Sequence, residues 1–286
     1  MEVLHEQHLV DCSVLDVTSM EDDVFLLCSY EFQVNETSQC ACEIRVYNRN
    51  DMAEVPVVIA MPGIRPIDIA ACNVSNCLYV HGRNKESHED SILRITREED
   101  NQFKIHTWIS DLRCVIFYMN VSTKGTLIVH SIRLPCKAVV EKVISIYSPY
   151  GFLQREVIWS PDYSSRVRSV FERSNGNLVF HAVSNEYAIV LTEMDSDGVI
   201  RRKFESSLRG NGGVNFVDAS GRILIYEPNN GIELLDSELN LLDFTAQQAN
   251  GPTSSRLHYN SERNEVIGIS RGGNTSFLTI FRLSEE

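Results

Sequence analysis

The sequence predicts an all-β fold built from a repeated four-stranded sheet, and three observations support this prediction. Short apolar runs alternate with turn residues, as in VDASGRILIYEPNNGIELLDSELNLLDF (residues 217–244), which holds four such runs. The same order of runs and turns recurs at intervals of roughly 41 to 54 residues, the spacing of one four-stranded propeller blade. No segment keeps the 3.6-residue apolar period of an amphipathic helix, so we expect few helices.

The first kind of turn separates the first and second strands of each copy, and it occurs six times. In chain order the turns are MEDD (20–23), NVSN (73–76), TKG (123–125), SNG (174–176), ASG (219–221) and NSERN (260–264). Asn, Asp, Ser and Gly stabilise tight turns or accept a positive φ. Six copies predict six blades, with approximate bounds of 13–61, 62–109, 110–159, 160–205, 206–247 and 248–283.

The second kind of turn follows the third strand of a copy, and it occurs only five times. It reads NRND, REED, SPYG, DSDG and DSELN, and no such turn follows the sixth third strand, FLTIFRL. We therefore predict that residues 3–10, VLHEQHLV, pair beside FLTIFRL and complete the last blade, which protects both sheet edges. The predicted fold is a six-bladed β-propeller with four antiparallel strands per blade. It forms a single domain, residues 1–286, and its ring is closed by the N-terminal strand.

Composition restricts the classes of partner. The net charge of −13 disfavours binding to phosphates of nucleic acids and to anionic membranes. No apolar run approaches the roughly 20 residues of a membrane span. The N-terminal sequence MEVLHEQHLVDC lacks the basic and then apolar order of a secretory signal. These features predict a soluble, cytoplasmic protein that is a monomer as an isolated domain.

The cysteines do not predict a metal site. The eight are Cys12, Cys28, Cys40, Cys42, Cys72, Cys77, Cys114 and Cys136. Neither the C-x-C pair nor the C-x4-C pair has a matching second pair or histidines at zinc spacing. We therefore interpret them as reduced cysteines that act as small apolar side chains.

Several segments resemble a known repeat. RPIDIAACNVSNCLYV (65–80), SNGNLVFH with MDSDGVIRRKF, and RLHYNSERNEVIGIS with LTIFRL are similar to NHL-type propeller repeats, especially those of invertebrate tripartite-motif-like propellers. The resemblance covers nearly the whole chain. The usual Pro-x-Gly start of the first strand survives only in fragments, Arg65-Pro66 and Gly212-Gly213. The resemblance implies that partners dock on one loop face around a central channel.

The same resemblance implies candidate partner-binding residues, because the residue that begins each first strand of an NHL-like repeat lies near the channel mouth. Counting back eight residues from the turn glycines selects Phe117, Arg168 and Gly213, with Asp68 and Arg256 as the equivalents in other blades. An aromatic ring beside a planar cation suits recognition of an acidic or extended peptide.

Histidines occupy a second repeated position, at the loop end of the second strand. His130 follows TLIV, His181 follows NLVF, and His81 ends LYVH. The simpler interpretation is one repeat position that uses the same residue. Three histidines that point to the channel mouth would instead form a metal or pH-sensitive contact. The predicted partner-binding set is Phe117, Arg168, His130, His181, Arg256 and Asp68.

Three functions remain open. We favour a noncatalytic interaction module for a protein or peptide partner. The first alternative is an RNA-binding NHL-like propeller, which the net charge disfavours. The second is a metal-dependent lactonase-like hydrolase, which needs inward-pointing Asp, Glu and Asn from several blades. Asp68, Asn215 and Asp218 lie on predicted first strands, but their alternation does not aim them together, and no nucleophile elbow or H-E-x-x-H motif is present. We therefore predict no catalytic residue, no cofactor and no metal ligand.

Overall fold

The computed structural model describes most of the chain in fifteen stretches. These are residues 2–9, 12–34, 37–52, 55–99, 102–110, 114–136, 139–159, 166–183, 187–209, 214–217, 221–227, 231–246, 254–260, 263–272 and 275–282. Within them the only helix is one 3₁₀ turn, Arg49–Asp51. No helix in these stretches has the length and apolar character needed to cross a bilayer. The prediction of an all-β chain is confirmed.

The strands form six four-stranded antiparallel sheets. β1 (Glu2–Leu9) precedes the first sheet, which contains β2 (Ser13–Met20), β3 (Asp23–Val34), β4 (Thr37–Asn48) and β5 (Val57–Ile59). The second contains β6 (Ile64–Cys72), β7 (Cys77–Asn84), β8 (Asp90–Arg97) and β9 (Phe103–Ile109). The third contains β10 (Cys114–Val121), β11 (Leu127–Cys136), β12 (Val139–Tyr147) and β13 (Leu153–Trp159).

The fourth sheet contains β14 (Arg166–Glu172), β15 (Leu178–Val183), β16 (Ala188–Met194) and β17 (Ile200–Arg209). The fifth contains β18 (Val214–Val217), β19 (Ile223–Glu227), β20 (Gly231–Leu235) and β21 (Leu241–Ala246). The sixth contains β22 (Ser254–Asn260), β23 (Glu265–Gly272) and β24 (Thr275–Arg282), together with β1. Residue contacts divide the chain into two compact units. The first unit, residues 1–112 and 252–286, holds the first, second and sixth sheets, and the second unit, residues 113–251, holds the other three.

The N-terminal strand completes the sixth sheet, as predicted. β1 pairs antiparallel with β24, from Glu2 opposite Arg282 to Leu9 opposite Ser276. Leu9 is buried in a core cluster with Val14, Ile267 and other apolar residues of the first and sixth sheets. The chain's first and last strands are therefore joined within the first unit.

Hydrogen bonds and ion pairs between polar side chains also connect the sixth sheet with the first. The Ser19 hydroxyl lies 3.1 Å from His258 Nε2 and accepts a hydrogen bond of 3.0 Å from Asn260 Nδ2. Glu265 is buried and forms ion pairs with Arg49, in the 3₁₀ turn after β4, and with Arg282 of β24. Burying these charges is tolerated because each has an opposite partner.

Second strands contain continuous buried apolar runs, as expected for strands that are covered on both faces. All six residues of β15 are buried, and so are Val24 to Cys28 of β3. The fourth strands are far more exposed, as in β17, where most residues face solvent. This difference in burial between second and fourth strands explains why a continuous apolar run, such as LVF in β15, marks the second strand of a sheet.

The predicted turn residues adopt the backbone conformation for which the sequence selects them. Gly125 and Gly176 have φ of 79° and 85° in five-residue turns between the first and second strands. Asn76 and Asn264 have φ of 42° and 54° in four-residue turns at the same place in other sheets. Asn accepts the left-handed region more readily than most residues.

Candidate functional site

The first strand of five sheets contains a β-bulge at the same position. The residues that the pairing register skips are Leu15, Ile67, Phe117, Arg168 and Ser255. A bulge leaves one residue without a partner in the ladder and re-aims its side chain. Each of these first strands therefore has, near its start, one residue without a partner in the backbone pairing with the second strand. Phe117 and Arg168 are two of these residues.

Asp68 and Arg256 are not equivalent to Phe117 and Arg168, which corrects the sequence alignment. Each lies one residue after the bulge, opposite His81 and Ile269 respectively. The error arises because five residues follow the bulge in these two first strands, whereas four follow it in β10 and β14, so a count of eight from the turn ends one residue late. The true equivalents are Ile67 and Ser255.

The histidines do share one repeat position. His81, His130 and His181 pair with Asp68, Tyr118 and Ser169, the residues directly after the bulges. The same position holds Leu27 in the first sheet and Ile269 in the sixth, each opposite the residue after its own bulge. A residue of any polarity therefore fits there, as the simpler interpretation expects.

The histidines are buried, which corrects the expectation that they are exposed at a rim. His130 is 4% exposed and His181 is fully buried, as is nearly all of His81. They lie on second strands with almost no exposed surface, so a partner does not reach them directly. Burial lowers the pKa of His130 to about 4, and the Lys142 ammonium acts in the same direction. His130 is therefore uncharged at neutral pH.

Phe117 covers His130. The two ring centroids are 5.8 Å apart with an angle of 36° between the planes. Phe117 is nevertheless 54% exposed. Neither imidazole nitrogen of His130 has a hydrogen-bond partner within the described part of the chain. The Phe117 ring thus lies beside a buried, neutral imidazole while much of the ring remains open to solvent.

Val115 is a neighbour that sequence reasoning missed. It is 42% exposed on β10, two residues before Phe117, while Ile116 between them is buried. No local pattern indicates it, because the bulge at Phe117 interrupts the regular alternation of this strand. Val115 and Phe117 are both exposed apolar residues of β10, and we call this pair the β10 patch.

The other two histidines have different surroundings. Ser169 Oγ lies 3.3 Å from His181 Nδ1, and both side chains are buried. His81 Nε2 lies 3.3 Å from Asp90, which also accepts two hydrogen bonds from Arg83. Burial lowers the pKa of His81, and the Asp90 carboxylate opposes this effect. The three imidazoles are therefore held by three different sets of neighbours.

Some candidates lie outside the described residues. These are Gly213, Asp218 and the side chains of Arg168, Arg256 and Asn215. Among the side chains that the structure does describe, no group of three or more His, Cys, Asp and Glu is arranged to hold a metal ion. The roles of Phe117, Arg168, His130, His181, Arg256 and Asp68 in partner binding stay predictions.

Solved structures share this fold. Virginiamycin B lyase from Staphylococcus aureus is 11% identical, with 97% of this chain and 98% of that chain covered and a TM-score of 0.60. A gluconolactonase from Xanthomonas campestris is 14% identical, with 95% and 96% covered and a TM-score of 0.53. The β-propeller domain of the Trilobed protease from Pyrococcus furiosus is 10% identical, with 97% and 85% covered and a TM-score of 0.56. At such identities the likeness concerns the fold alone.

The class of protein follows from the six sheets and from these neighbours: the chain is a six-bladed β-propeller. No protein-family model matches the sequence, and no curated protein matches it. The resemblance to NHL-type repeats therefore stays a prediction.

Proposed function

We propose that this propeller is a noncatalytic interaction module that binds a protein or peptide partner through the β10 patch. The observation that carries the proposal is the half-exposed Phe117 ring, which lies at a β-bulge and contacts the ring of His130. Large aromatic side chains supply much of the binding energy at protein interfaces because they bury a wide apolar area.

Rigidity strengthens the proposal. The β10 strand is paired to β11 on both sides of the bulge, and Asn120 Nδ2 donates a hydrogen bond of 3.2 Å to the Val170 carbonyl of the next sheet. A preorganised contact surface loses little conformational entropy when a partner binds. Phe117 is therefore an anchor on a fixed scaffold and not a residue of a long loop.

Charge favours protein over RNA as the partner. The net charge of −13 opposes phosphate backbones, and the β10 patch is apolar. The lyase and the gluconolactonase that share the fold have activities of their own, and propellers with one fold carry out many functions. The proposal therefore depends on the β10 patch and not on the activities of those two proteins.

The experiment is affinity capture with the full chain, followed by mass spectrometry, with and without RNase. We expect Phe117→Ala to lose most of the captured partner, because truncating a central aromatic residue of an interface costs about 2 kcal/mol or more. Phe244→Ala is the matched control, since Phe244 is 46% exposed on β21 of the same unit. Both variants should have the same Tm as the wild-type protein.

Two outcomes would contradict the proposal. Loss of capture after RNase treatment would favour the RNA-binding alternative. Equal loss of partner in Phe117→Ala and Phe244→Ala would show that the β10 patch has no special role.

A further inference from the structure

Two cysteines of the first unit lie directly opposite each other where β6 turns into β7. Cys72 ends β6, Cys77 begins β7, and the two are partners in the antiparallel register. Opposite residues in such a pair have Cα atoms about 4.5 to 5.5 Å apart, within the range that a disulfide spans. Neither residue is in a disulfide, and both side chains are fully buried. The backbone thus already holds the two thiols at a separation that a bond can close.

One hydroxyl group touches both sulfur atoms. Ser75 Oγ donates a hydrogen bond of 3.0 Å to Cys72 Sγ and lies 3.2 Å from Cys77 Sγ. Ser75 is half-buried, whereas the other turn residues, Asn73, Val74 and Asn76, are exposed. The thiols therefore contact a half-buried hydroxyl that belongs to an otherwise exposed turn.

A guanidinium completes the cluster. Arg94 on β8 donates to the Ser75 carbonyl at 3.4 Å and pairs in register with Tyr79, two residues after Cys77. The Cys72 thiol and Arg94 lower the pKa of Cys77, against the effect of burial. The same contact with Cys77, together with burial, raises the pKa of Cys72. The two sulfur atoms are therefore unequal: Cys77 is the better nucleophile, and Cys72 remains a protonated thiol.

We propose that Cys72 and Cys77 form a reversible redox site, in which a hydroperoxide oxidises the two thiols to a disulfide and a small dithiol reduces them again. The proposal is independent of the β10 patch, which lies in the other unit.

The chemistry balances with one hydroperoxide. The Cys77 thiolate attacks the terminal oxygen of the hydroperoxide, the O–O bond breaks, and the alcohol leaves after taking up a proton, so that Cys77 becomes a sulfenic acid. The Cys72 thiol then loses its proton and attacks Cys77 Sγ. The S–S bond forms, the S–O bond breaks, and hydroxide leaves as water with that proton. Two thiols and one hydroperoxide thus give a disulfide, an alcohol and water.

The disulfide is expected to reopen readily. Only the four turn residues lie between the two cysteines. The stabilisation that a disulfide adds by restricting the unfolded chain is smallest for short loops. A dithiol therefore reduces the bond by exchange, returning both sulfur atoms to thiols and becoming a cyclic disulfide itself.

The first test uses the reduced full chain and hydrogen peroxide. After oxidation, the remaining thiols are alkylated and the protein is digested with trypsin. The peptide of residues 50–83 holds Cys72 and Cys77 and no other cysteine, because Arg65 precedes Pro66 and is not cleaved. We expect this peptide to lose two hydrogen atoms and to take no alkyl label before the other cysteines oxidise. Dithiothreitol should restore both labels.

The second test separates the two roles. Cys72→Ser should leave a sulfenic acid on Cys77 that a dimedone probe traps, and Cys77→Ser should give no adduct at Cys72. Arg94→Met should slow the oxidation of Cys77 by about tenfold at neutral pH and shift its pH profile upward, because the thiolate loses a cationic neighbour. Lys104→Met is the control, since Lys104 forms an exposed ion pair with Glu98 in the same sheet.

The wild-type measurement decides the proposal even if a variant fails to fold. Two labels on peptide 50–83 at a peroxide dose that oxidises other cysteines would overturn it. So would equal adduct formation at Cys72 and Cys77, or equal oxidation rates for Arg94→Met and Lys104→Met.

Discussion

Deletion of residues 1–9 is expected to lower the free energy of unfolding by about 5 kcal/mol and the Tm by at least about 10 °C. The deletion removes β1, which pairs with β24 from Glu2 to Leu9, and so leaves β24 as an unprotected edge strand. It also removes Leu9, which is 2% exposed in the core between the first and sixth sheets. Thermal unfolding followed by circular dichroism measures the loss, and size-exclusion chromatography detects association through the open edge.

Two point variants show whether the loss has this cause. Leu9→Ala should cost about 2 to 4 kcal/mol because it leaves a cavity in the core. Glu6→Ala, on the exposed face of the same strand, should change stability by less than about 0.5 kcal/mol. A truncated chain that melts like the full chain would contradict the closure of the sixth sheet by β1.

Acidification is expected to destabilise the protein between about pH 6.5 and pH 4, and His130 is responsible for a large part of this loss. Burial lowers the pKa of the folded-state imidazole from 6.5 to about 4. The unfolded chain therefore takes up this proton first as the pH falls, and the free energy of unfolding decreases until the folded state is protonated as well. A shift of this size corresponds to about 3 kcal/mol, lost progressively in that window and present in full above pH 6.5.

The variant His130→Phe isolates this contribution. Burial also lowers the pKa of His81 and His258, so the wild-type profile contains their effects in the same direction. A phenyl ring keeps the aromatic contact with Phe117 but cannot take up a proton. Urea unfolding from pH 7.5 to pH 4 should therefore show a flatter dependence in His130→Phe. Parallel profiles for the two proteins would mean that His130 is protonated in the folded state at its ordinary pKa.

The number, order and closure of the sheets could be predicted from the sequence because their signals are local. Residues such as Gly125, Gly176 and Asn76 mark turns through their tolerance of positive φ, wherever they lie in the fold. The closing role of β1 followed from the mismatch between six turns of one kind and five of the other. Neither signal required knowledge of packing.

The site was harder to predict, because its geometry depends on register. The stretch between the bulge and the end of the first strand is one residue longer in β6 and β22 than in β10 and β14, which is why Asp68 and Arg256 were placed where Ile67 and Ser255 lie. The contact between Phe117 and His130 requires both the bulge in β10 and the pairing of β10 with β11, and no local pattern shows these.

The burial of the histidines could have been predicted. TLIVH and NLVFH are continuous apolar runs, and such runs indicate a strand that is covered on both faces. A histidine at the end of such a run belongs to the same buried strand, so His130 and His181 were candidates for the core and not for a rim.

The most direct test of the proposed function is hydroxyl-radical footprinting of the full chain with and without its captured partner. Phe117, Phe152 and Phe244 are 54%, 72% and 46% exposed in the second unit, so each should be oxidised in the free protein. The account predicts that the partner protects Phe117 and leaves the oxidation of Phe152 and Phe244 unchanged. Protection of Phe152 or Phe244 with undiminished oxidation of Phe117 would contradict it. The interface would then lie near the fourth strands β13 or β21.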